Sequence, residues 1–188
     1  MGKYIYLLVG MSGSGKSTVA EILEQENGWQ SLLSYTTRKP RYEGEGGHIF
    51  VSSEAFDKLE NKVAYTIFDG NEYCATAEQV ENSDVYVIDP AGVKYFLNYY
   101  KGEKIPVVSV INVEAGVAVH RMEKRGDNLE DIFRRIKHDK DVFSALEEEM
   151  ESLKIPFVVY NSGILKPRVI ARMINEDRER RYEQCGNI

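Results

Sequence analysis

The feature that most constrains this chain is residues 10–17, whose sequence GMSGSGKS fits the phosphate-binding pattern G-x-x-x-x-G-K-[ST]. An apolar run at residues 4–9 predicts a buried parallel strand before this loop, and residues 18–27 predict a helix after it. Glycines let backbone N–H groups converge on a phosphate, and the start of a helix adds partial positive charge. The order of strand, loop and helix therefore predicts a nucleoside triphosphate site, in which Lys16 reaches the β- and γ-phosphates and Ser17 ligates Mg²⁺.

The composition indicates a globular protein. The chain has 188 residues, of which 43% are hydrophobic and 29% charged, and this suits one domain or at most two. A net charge of −6 argues against broad nucleic-acid binding. The two cysteines, Cys74 and Cys185, are far apart in sequence, which favours a reducing cytoplasm over a disulfide framework or a metal pair. The run at residues 4–9 is too short for a signal peptide or a membrane span, so no membrane contact is expected.

Predicted strands and helices alternate along most of the chain. The further strands of the predicted sheet are at 30–34, 84–89, 106–111 and 156–160. The further predicted helices are at 91–100, 114–124, 129–150 and 164–182. Such alternation predicts an α/β fold, namely a P-loop three-layer α/β/α domain with a parallel sheet. Ligands are expected at the carboxyl ends of its strands.

Residues 35–82 interrupt this alternation. Short strands at 49–51 and 63–68 around a helix at 53–61 predict an inserted small α+β lobe. Residues 125–137 carry arginines and predict a helical lid. The chain is therefore expected to form one domain over residues 1–188. Its predicted parts are a core of 1–34 and 83–188, a lobe of 35–82 and a lid of about 125–137.

Two arginines in the predicted lobe suggest a second phosphate site. Arg38 and Arg41 are three residues apart in a proline-containing loop, where their guanidinium groups can both fork onto one phosphate dianion. The alternative for an isolated pair is a solvated basic turn. The surrounding segment, SYTTRKPR at 34–41, resembles the guanylate kinase family, and the resemblance runs over nearly the whole chain. Further matches to that family are GNEY at 70–73, Asp89 followed by GVK at 92–94, RMEKRG at 121–126, Arg135 and Asn161.

The resemblance implies a kinase that moves the γ-phosphoryl group of ATP to GMP or dGMP, with Mg²⁺ as cofactor and only small-molecule nucleotides as partners. It leaves open whether the protein is a monomer or a homodimer. The implied catalytic residues are Lys16, Arg38, Arg125 and Arg135. The implied ATP-binding residues are Gly10, Met11, Ser12, Gly13, Ser14, Gly15, Lys16, Ser17, Thr18, Arg121 and Asn161, with Ser17 also at the metal. The implied acceptor-binding residues are Ser34, Arg38, Arg41, Glu45, His48, Tyr73, Ala75 and Asp89.

The chain departs from the family's pattern where the nucleobase is read. Ala64 stands where the family usually has a guanine-binding glutamate, and Ala75 stands where it has a small hydroxyl residue. His48 replaces a phosphate-binding tyrosine. A missing hydrogen-bond partner typically costs about 1–3 kcal/mol. Asp89 therefore becomes the main expected base reader, with Glu72 or Asp69 as alternatives in a shifted register. A carboxylate at a strand end can also bind a water ligand of Mg²⁺.

Two other functions remain open on these residues. One is the same fold acting on a different acceptor, such as another nucleotide or a ribose bisphosphate, which has no base to read. The other is a non-catalytic guanylate-kinase-like module that binds a protein partner. The intact motif at residues 10–17 and the lid arginines favour a kinase.

Overall fold

The computed structural model describes residues 2–40, 43–152 and 157–186. Its strands are β1 (Tyr4–Val9), β2 (Ser31–Leu32), β3 (Ser34–Thr36), β4 (His48–Phe50), β5 (Thr66–Phe68), β6 (Asn71–Cys74), β7 (Val85–Val87), β8 (Ile105–Asn112) and β9 (Phe157–Asn161). Its helices are α1 (Lys16–Asn27), α2 (Ser53–Asp57), α3 (Ala77–Glu81), α4 (Pro90–Tyr99), α5 (Ala115–Lys124), α6 (Leu129–Ser152) and α7 (Pro167–Gly186).

The main sheet has five parallel strands in the order β2-β7-β1-β8-β9. β1 lies at its centre and is buried along its whole length, as its uninterrupted apolar sequence predicts. Leu7 packs with Val93 and Phe96 of α4 on one face of the sheet. Leu8 packs with Leu23 of α1 on the other face, together with side chains of α7. The predicted three-layer α/β/α fold is confirmed.

The inserted segment forms a second sheet of four strands in the order β4-β3-β6-β5. β3 pairs parallel to β4 and antiparallel to β6, and β5 pairs antiparallel to β6. The predicted single strand at 30–34 is wrong, because the chain changes sheets there: β2 belongs to the main sheet and β3 to the lobe, with only Leu33 between them. Gln79, on α3, covers this crossing by donating its side-chain amide to the Leu33 carbonyl at 2.8 Å.

The lobe also contains two elements that the sequence analysis did not predict, β6 and α3. Thr76 begins α3 with a reciprocal cap, since its hydroxyl accepts from Gln79 N and the Gln79 side chain accepts from Thr76 N. α2 ends at Asp57, four residues before the predicted helix end, and the chain turns at Asn61 with a φ of 53°. The turn lets Lys62 form a bridge to Thr76.

The predicted lid lies where α5 meets α6. α5 ends at Lys124, the chain turns through Gly126 at a φ of 88°, and α6 begins at Leu129. A buried cluster of Ala118 and Met122 from α5 with Ile132 from α6 holds the two helices together.

The last helix covers the outer face formed by β1 and α1. The Tyr6 hydroxyl donates to Asp177 Oδ2 at 2.8 Å, and Trp29 Nε1 donates to Asn175 Oδ1 at 2.9 Å. The guanidinium of Arg178 lies 4.0 Å from the centre of the Trp29 ring. No helix within the described ranges is long and apolar enough to cross a membrane.

Candidate active site

The loop between β1 and α1 is shaped by glycines that no other residue can replace without strain. A Cβ at Gly10 would lie 2.3 Å from the Ile111 carbonyl oxygen, and one at Gly13 would lie 2.7 Å from the Ala118 carbonyl oxygen. Gly13 and Gly15 also have left-handed φ values of 76° and 94°. The loop therefore sits tightly against β8 and α5 and leads directly into the N-terminus of α1.

Lys16 is the cationic side chain of this loop. Its ammonium group donates to the carbonyl oxygens of Gly10 at 2.5 Å and Met11 at 2.9 Å, so that it lies over the loop. Burial lowers the pKa of Lys16 to about 8, although the carboxylates of Asp139 and Asp89 oppose this shift. The ammonium is therefore mostly charged at neutral pH and poorly solvated, which suits it to bind an anion.

A cavity of about 430 Å³ lies outside the loop on the side of α5. It is lined by Ser12, Gly13, Gly15, Lys16, Ser17, Thr18, Arg121, Met122, Arg125 and Arg135. Arg121 joins the loop to the end of the sheet: its Nη1 donates to the carbonyls of Gly13 at 3.2 Å and Ser14 at 3.3 Å, and its Nη2 donates to the Ser162 carbonyl at 2.6 Å. We call this space the donor cavity.

The two lid arginines meet at one carboxylate. Arg125 forms a two-pronged ion pair with Asp127, and Nη1 of Arg135 lies 3.5 Å from Asp127 Oδ2. The hydrogen bond to Asp127 raises the pKa of Arg125, so this guanidinium stays charged. Both arginines thus lie on the donor cavity, with a fixed anion behind them.

A second cavity of about 280 Å³ joins the loop to the inserted lobe, and we call it the acceptor cavity. From the loop it is lined by Gly10, Ser12 and Lys16. From β3 to β7 and the start of α4 it is lined by Ser34, His48, Thr66, Ile67, Phe68, Tyr73, Tyr86, Val87, Ile88, Asp89, Pro90 and Ala91. From α6 it is lined by His138, Asp139 and Val142.

Polar groups from the lobe and from the main sheet converge in the acceptor cavity. Ser34 Oγ lies 2.9 Å from His48 Nδ1 and also forms a hydrogen bond with the Tyr86 hydroxyl. Asp89 caps α4 by accepting from Gly92 N at 2.9 Å, and the Thr66 side chain bonds to the same carboxylate. Burial raises the pKa of Asp89, against the effect of these hydrogen bonds.

Arg38 and Glu45 form a two-pronged ion pair beside this cavity, with distances of 2.8 and 3.1 Å. The bond to Glu45 raises the pKa of Arg38, whose guanidinium also lies 5.2 Å from the centre of the Phe50 ring and hydrogen-bonds to Tyr73. Among the described residues its Nε is buried without a hydrogen-bond partner. The expected second arginine, Arg41, lies outside the described residues.

Three other residues considered from the sequence lie away from the two cavities. Ala75 is fully buried and pairs with Ala64 through a backbone hydrogen bond of 3.2 Å. Within the part of the chain that the structure describes, neither alanine lines the acceptor cavity. Asn161 is exposed at the end of β9, where its side chain accepts from Gly163 N at 2.9 Å.

Several residues at these cavities were not predicted. Asp127 of the lid pairs with arginines that line the donor cavity. Asp139 of α6, Thr66 of β5 and Tyr86 of β7 line the acceptor cavity. The RGD sequence at 125–127 was a usable signal for Asp127, because an acid two residues after an arginine can pair with it in a turn. Asp139 meets the loop across 127 residues, and no local pattern indicates such a contact.

A phosphate loop at the carboxyl end of a central parallel strand, with its lysine over the loop and arginines beside it, defines a P-loop nucleotide-binding protein. The sequence matches the family model described as an AAA domain over residues 7–149. The chain belongs to that family of P-loop proteins.

Individual relatives point to one branch of these proteins. The chain is 31% identical over 120 residues to a guanylate kinase of Fusobacterium nucleatum, an alignment that covers 61% of this chain and 56% of the relative. It is 26% identical over 147 residues to a guanylate kinase of Bartonella henselae, covering 72% and 66%. The chain thus spans less than two thirds of the length of these relatives. The resemblance to guanylate kinases is confirmed.

The fold is also similar to that of a guanylate kinase. A crystal structure of guanylate kinase from Anaplasma phagocytophilum superposes with a TM-score of 0.60 and covers 96% of this chain and 87% of that one. The two sequences are 17% identical, so this similarity describes the fold.

Proposed function

We propose that this protein is an ATP-dependent nucleoside monophosphate kinase, which transfers the γ-phosphoryl group of ATP to GMP or dGMP and releases ADP with GDP or dGDP. The observation that carries the proposal is the acceptor cavity. Lys16 of the phosphate loop and the polar groups of Ser34 and Asp89 line the same space, so a donor phosphate and an acceptor nucleotide can meet in it. The names of the sequence relatives support this choice of reaction.

In the donor cavity, ATP would lie along the loop, with its phosphates on the backbone N–H groups and on Lys16. Mg²⁺ favours oxygen ligands and is commonly held by substrate phosphates with one or two protein oxygens. The Ser17 hydroxyl at the start of α1 is such an oxygen and lines this cavity, so the residues present fit the ion. When bound with ATP, Mg²⁺ neutralises charge on the phosphates.

Phosphoryl transfer needs alignment and charge stabilisation from the protein rather than a covalent nucleophile. Arg125 and Arg135 supply positive charge at the donor cavity, where Asp127 fixes them. In the nucleotide complex these guanidinium groups would turn toward the transferring group. Arg121 also lines this cavity, where it would bind ATP, and it holds the shape of the loop through hydrogen bonds to loop and Ser162 carbonyls.

The acceptor phosphate would bind beside Arg38. Glu45 already orients this guanidinium, and a small movement of the side chain would present its buried Nε to an anion. Tyr73 lies against Arg38 and lines the cavity, so its hydroxyl can bind the same phosphate. Arg41 would add a second guanidinium, as the family resemblance implies.

Ser34 and Asp89 would bind the base in the acceptor cavity. The buried carboxylate can accept from the N1–H and the amino group of guanine, and Thr66 and Gly92 hold it in place. His48 holds the Ser34 hydroxyl and would take part in acceptor binding through it.

A second candidate is the same reaction with a different acceptor, such as another nucleotide or a ribose bisphosphate. It is favoured by the burial of Ala64 and Ala75, since neither supplies a polar side chain to the cavity where the family reads guanine. Asp89 favours a guanine nucleotide.

The proposed setting is the cytoplasm, with small-molecule nucleotides as partners and no role for nucleic acid or a membrane. The support is compositional: the net charge is −6 and Cys74 is a buried free thiol.

The test is ADP formation from Mg–ATP by the purified protein, with GMP, dGMP, AMP, CMP, UMP, dTMP and a ribose bisphosphate as acceptors. We expect turnover with GMP or dGMP, and its loss in a Lys16→Met variant that keeps the fold. Turnover with another acceptor alone would establish the second candidate. ATP binding without turnover of any acceptor would contradict the proposal and favour a binding module.

A further inference from the structure

An acidic side chain of α6 binds the phosphate loop directly. Asp139 Oδ2 accepts a hydrogen bond from the backbone N–H of Ser12 at 2.6 Å, although the two residues are 127 positions apart in sequence. Ser12 lines both the donor and the acceptor cavity, and Asp139 lines the acceptor cavity between the loop and the lobe. The contact is therefore made at the point where the two cavities meet.

The chemistry of this contact is that of a bound phosphate oxygen. Backbone N–H groups of such a loop are the donors that hold nucleotide phosphates, and a carboxylate oxygen carries negative charge and accepts the same hydrogen bond. The Lys16 ammonium also interacts with this carboxylate, since Asp139 is the strongest of the charges that oppose the lowering of the Lys16 pKa. Asp139 thus engages two of the loop's anion-binding groups.

α6 holds the carboxylate in this position. One residue earlier, the His138 ring packs edge-on against Phe68 of β5, with 5.2 Å between ring centres. Five residues earlier, Arg134 pairs with Asp69 of the β5–β6 turn at 2.6 Å. These contacts anchor the helix on the lobe, so the hydrogen bond to the loop needs little further ordering of the side chain.

We propose that Asp139 is an internal anionic ligand of the phosphate loop, which competes with nucleotide phosphate and so sets the affinity for the donor. This inference rests on the proposed function only in that the loop binds ATP and ADP. When a competing contact must open before a ligand binds, the apparent Kd equals the intrinsic Kd divided by the open fraction. A contact that is closed about nine tenths of the time therefore weakens binding about tenfold.

The test compares Asp139→Asn and Asp139→Ala with the unaltered protein. Asparagine keeps the size of the side chain and removes its charge, and alanine removes both. The Kd values of ADP and ATP are measured by calorimetry at neutral pH, with and without Mg²⁺, after thermal unfolding has shown that each variant is folded. The matched control is Glu130→Gln, which removes one negative charge from an exposed position on the same helix.

We expect both Asp139 variants to bind ADP and ATP about tenfold more tightly, a gain of about 1.4 kcal/mol, with Glu130→Gln unchanged. In the nucleotide-free protein, amide hydrogen exchange at Ser12 should be faster in Asp139→Ala, because its hydrogen bond is lost. Unchanged or weaker nucleotide binding would overturn the inference. Weakening confined to the Mg²⁺ complexes would also overturn it and make Asp139 a metal ligand instead.

The two proposals fail in distinguishable ways. If the unaltered protein binds ATP and phosphorylates GMP while the Asp139 variants bind with the same affinity, only this inference fails. If neither the unaltered protein nor the variants bind nucleotide, the proposed function fails with it.

Discussion

The lowered pKa of Lys16 predicts that nucleotide affinity falls as the solution becomes mildly alkaline. Burial lowers this pKa from 10.5 to about 8, and the phosphates of a bound nucleotide raise it again because they favour the charged ammonium. Binding therefore requires the charged form of the free protein. The affinity is nearly fully present at about pH 7, one unit below the pKa, and is lost as the pH rises through the pKa.

The expected size follows from the charged fraction. With a pKa of about 8, roughly 90% of Lys16 is charged at about pH 7 and roughly 10% at about pH 9. The Kd of ADP should therefore rise about tenfold between these two values, which corresponds to about 1.4 kcal/mol. Cys74, whose pKa burial raises to about 11, does not titrate in this window. The second proton of a phosphate group leaves near pH 6, so the nucleotide keeps a constant charge.

The assay is calorimetric titration of ADP at steps of pH, with Lys16→Arg as the control. A guanidinium stays charged throughout this range, so the variant should show a flat Kd even if its affinity is lower overall. A flat profile in the unaltered protein up to about pH 9.5 would refute the reasoning, because it would mean that Lys16 keeps its ordinary pKa.

The lowered pKa of Lys16 should also make the folded protein more stable as the pH rises, whereas it makes nucleotide binding weaker. Between pH 8 and 10.5 the unfolded chain binds the Lys16 proton and the folded protein does not. The free energy of unfolding should therefore rise with pH in this window, relative to a Lys16→Met variant measured by urea unfolding. The lowered pKa would be contradicted if the free energy of unfolding of the unaltered protein, relative to that of Lys16→Met, stayed constant or fell as the pH rose.

Three substitutions test other parts of the site. Gly13→Ala should lower the free energy of unfolding by at least about 1–2 kcal/mol and weaken ATP binding, because φ is 76° and the new Cβ would lie 2.7 Å from the Ala118 carbonyl. Asp127→Asn should lower kcat about tenfold with little change in the KM for GMP, because Arg125 loses its ionic partner. Arg38→Lys should raise the KM for GMP about tenfold and leave the KM for ATP unchanged, because lysine cannot form the two-pronged pair.

Each of these three predictions can be contradicted by a specific result. Urea unfolding measures the stability of Gly13→Ala. If this variant were as stable as the unaltered protein, α5 would have to move to accommodate the methyl group. Steady-state kinetics show the other two. An unchanged kcat in Asp127→Asn, or an equal rise in both KM values in Arg38→Lys, would remove the assigned role.

The parallel core could be predicted from the sequence because its strands are apolar and its helices amphipathic. Residues 4–9 carry six consecutive apolar or aromatic side chains, and all six are buried in β1. β6 could not be found in this way, because its sequence NEYC is mostly polar and its first three residues are half-buried. Thr76 and Gln79 did carry a local signal for α3, since a threonine followed three residues later by glutamine is a capping pattern.

In the candidate site, too, some residues follow from a local sequence motif and others depend on tertiary contacts. The loop residues follow a motif of fixed spacing, so Lys16 and Ser17 could be placed from the sequence alone. The contact of Asp139 with Ser12 depends instead on how α6 crosses the loop, which no local pattern specifies. The burial of Ala64 and Ala75 likewise depends on their pairing across the lobe.

The contacts of the first strand with the last helix bear on how the protein forms during synthesis. Lys3 N donates to the Tyr182 hydroxyl at 2.7 Å, a pair 179 residues apart, and the Tyr6 hydroxyl reaches Asp177 across 171 residues. The cover that α7 adds to one face of the central strand therefore forms only after residues 167–186 have been synthesised. Until then the apolar side chains that α7 covers are open to solvent or to a chaperone. The phosphate loop, which continues this strand, thus follows a strand whose packing is completed only when α7 has docked.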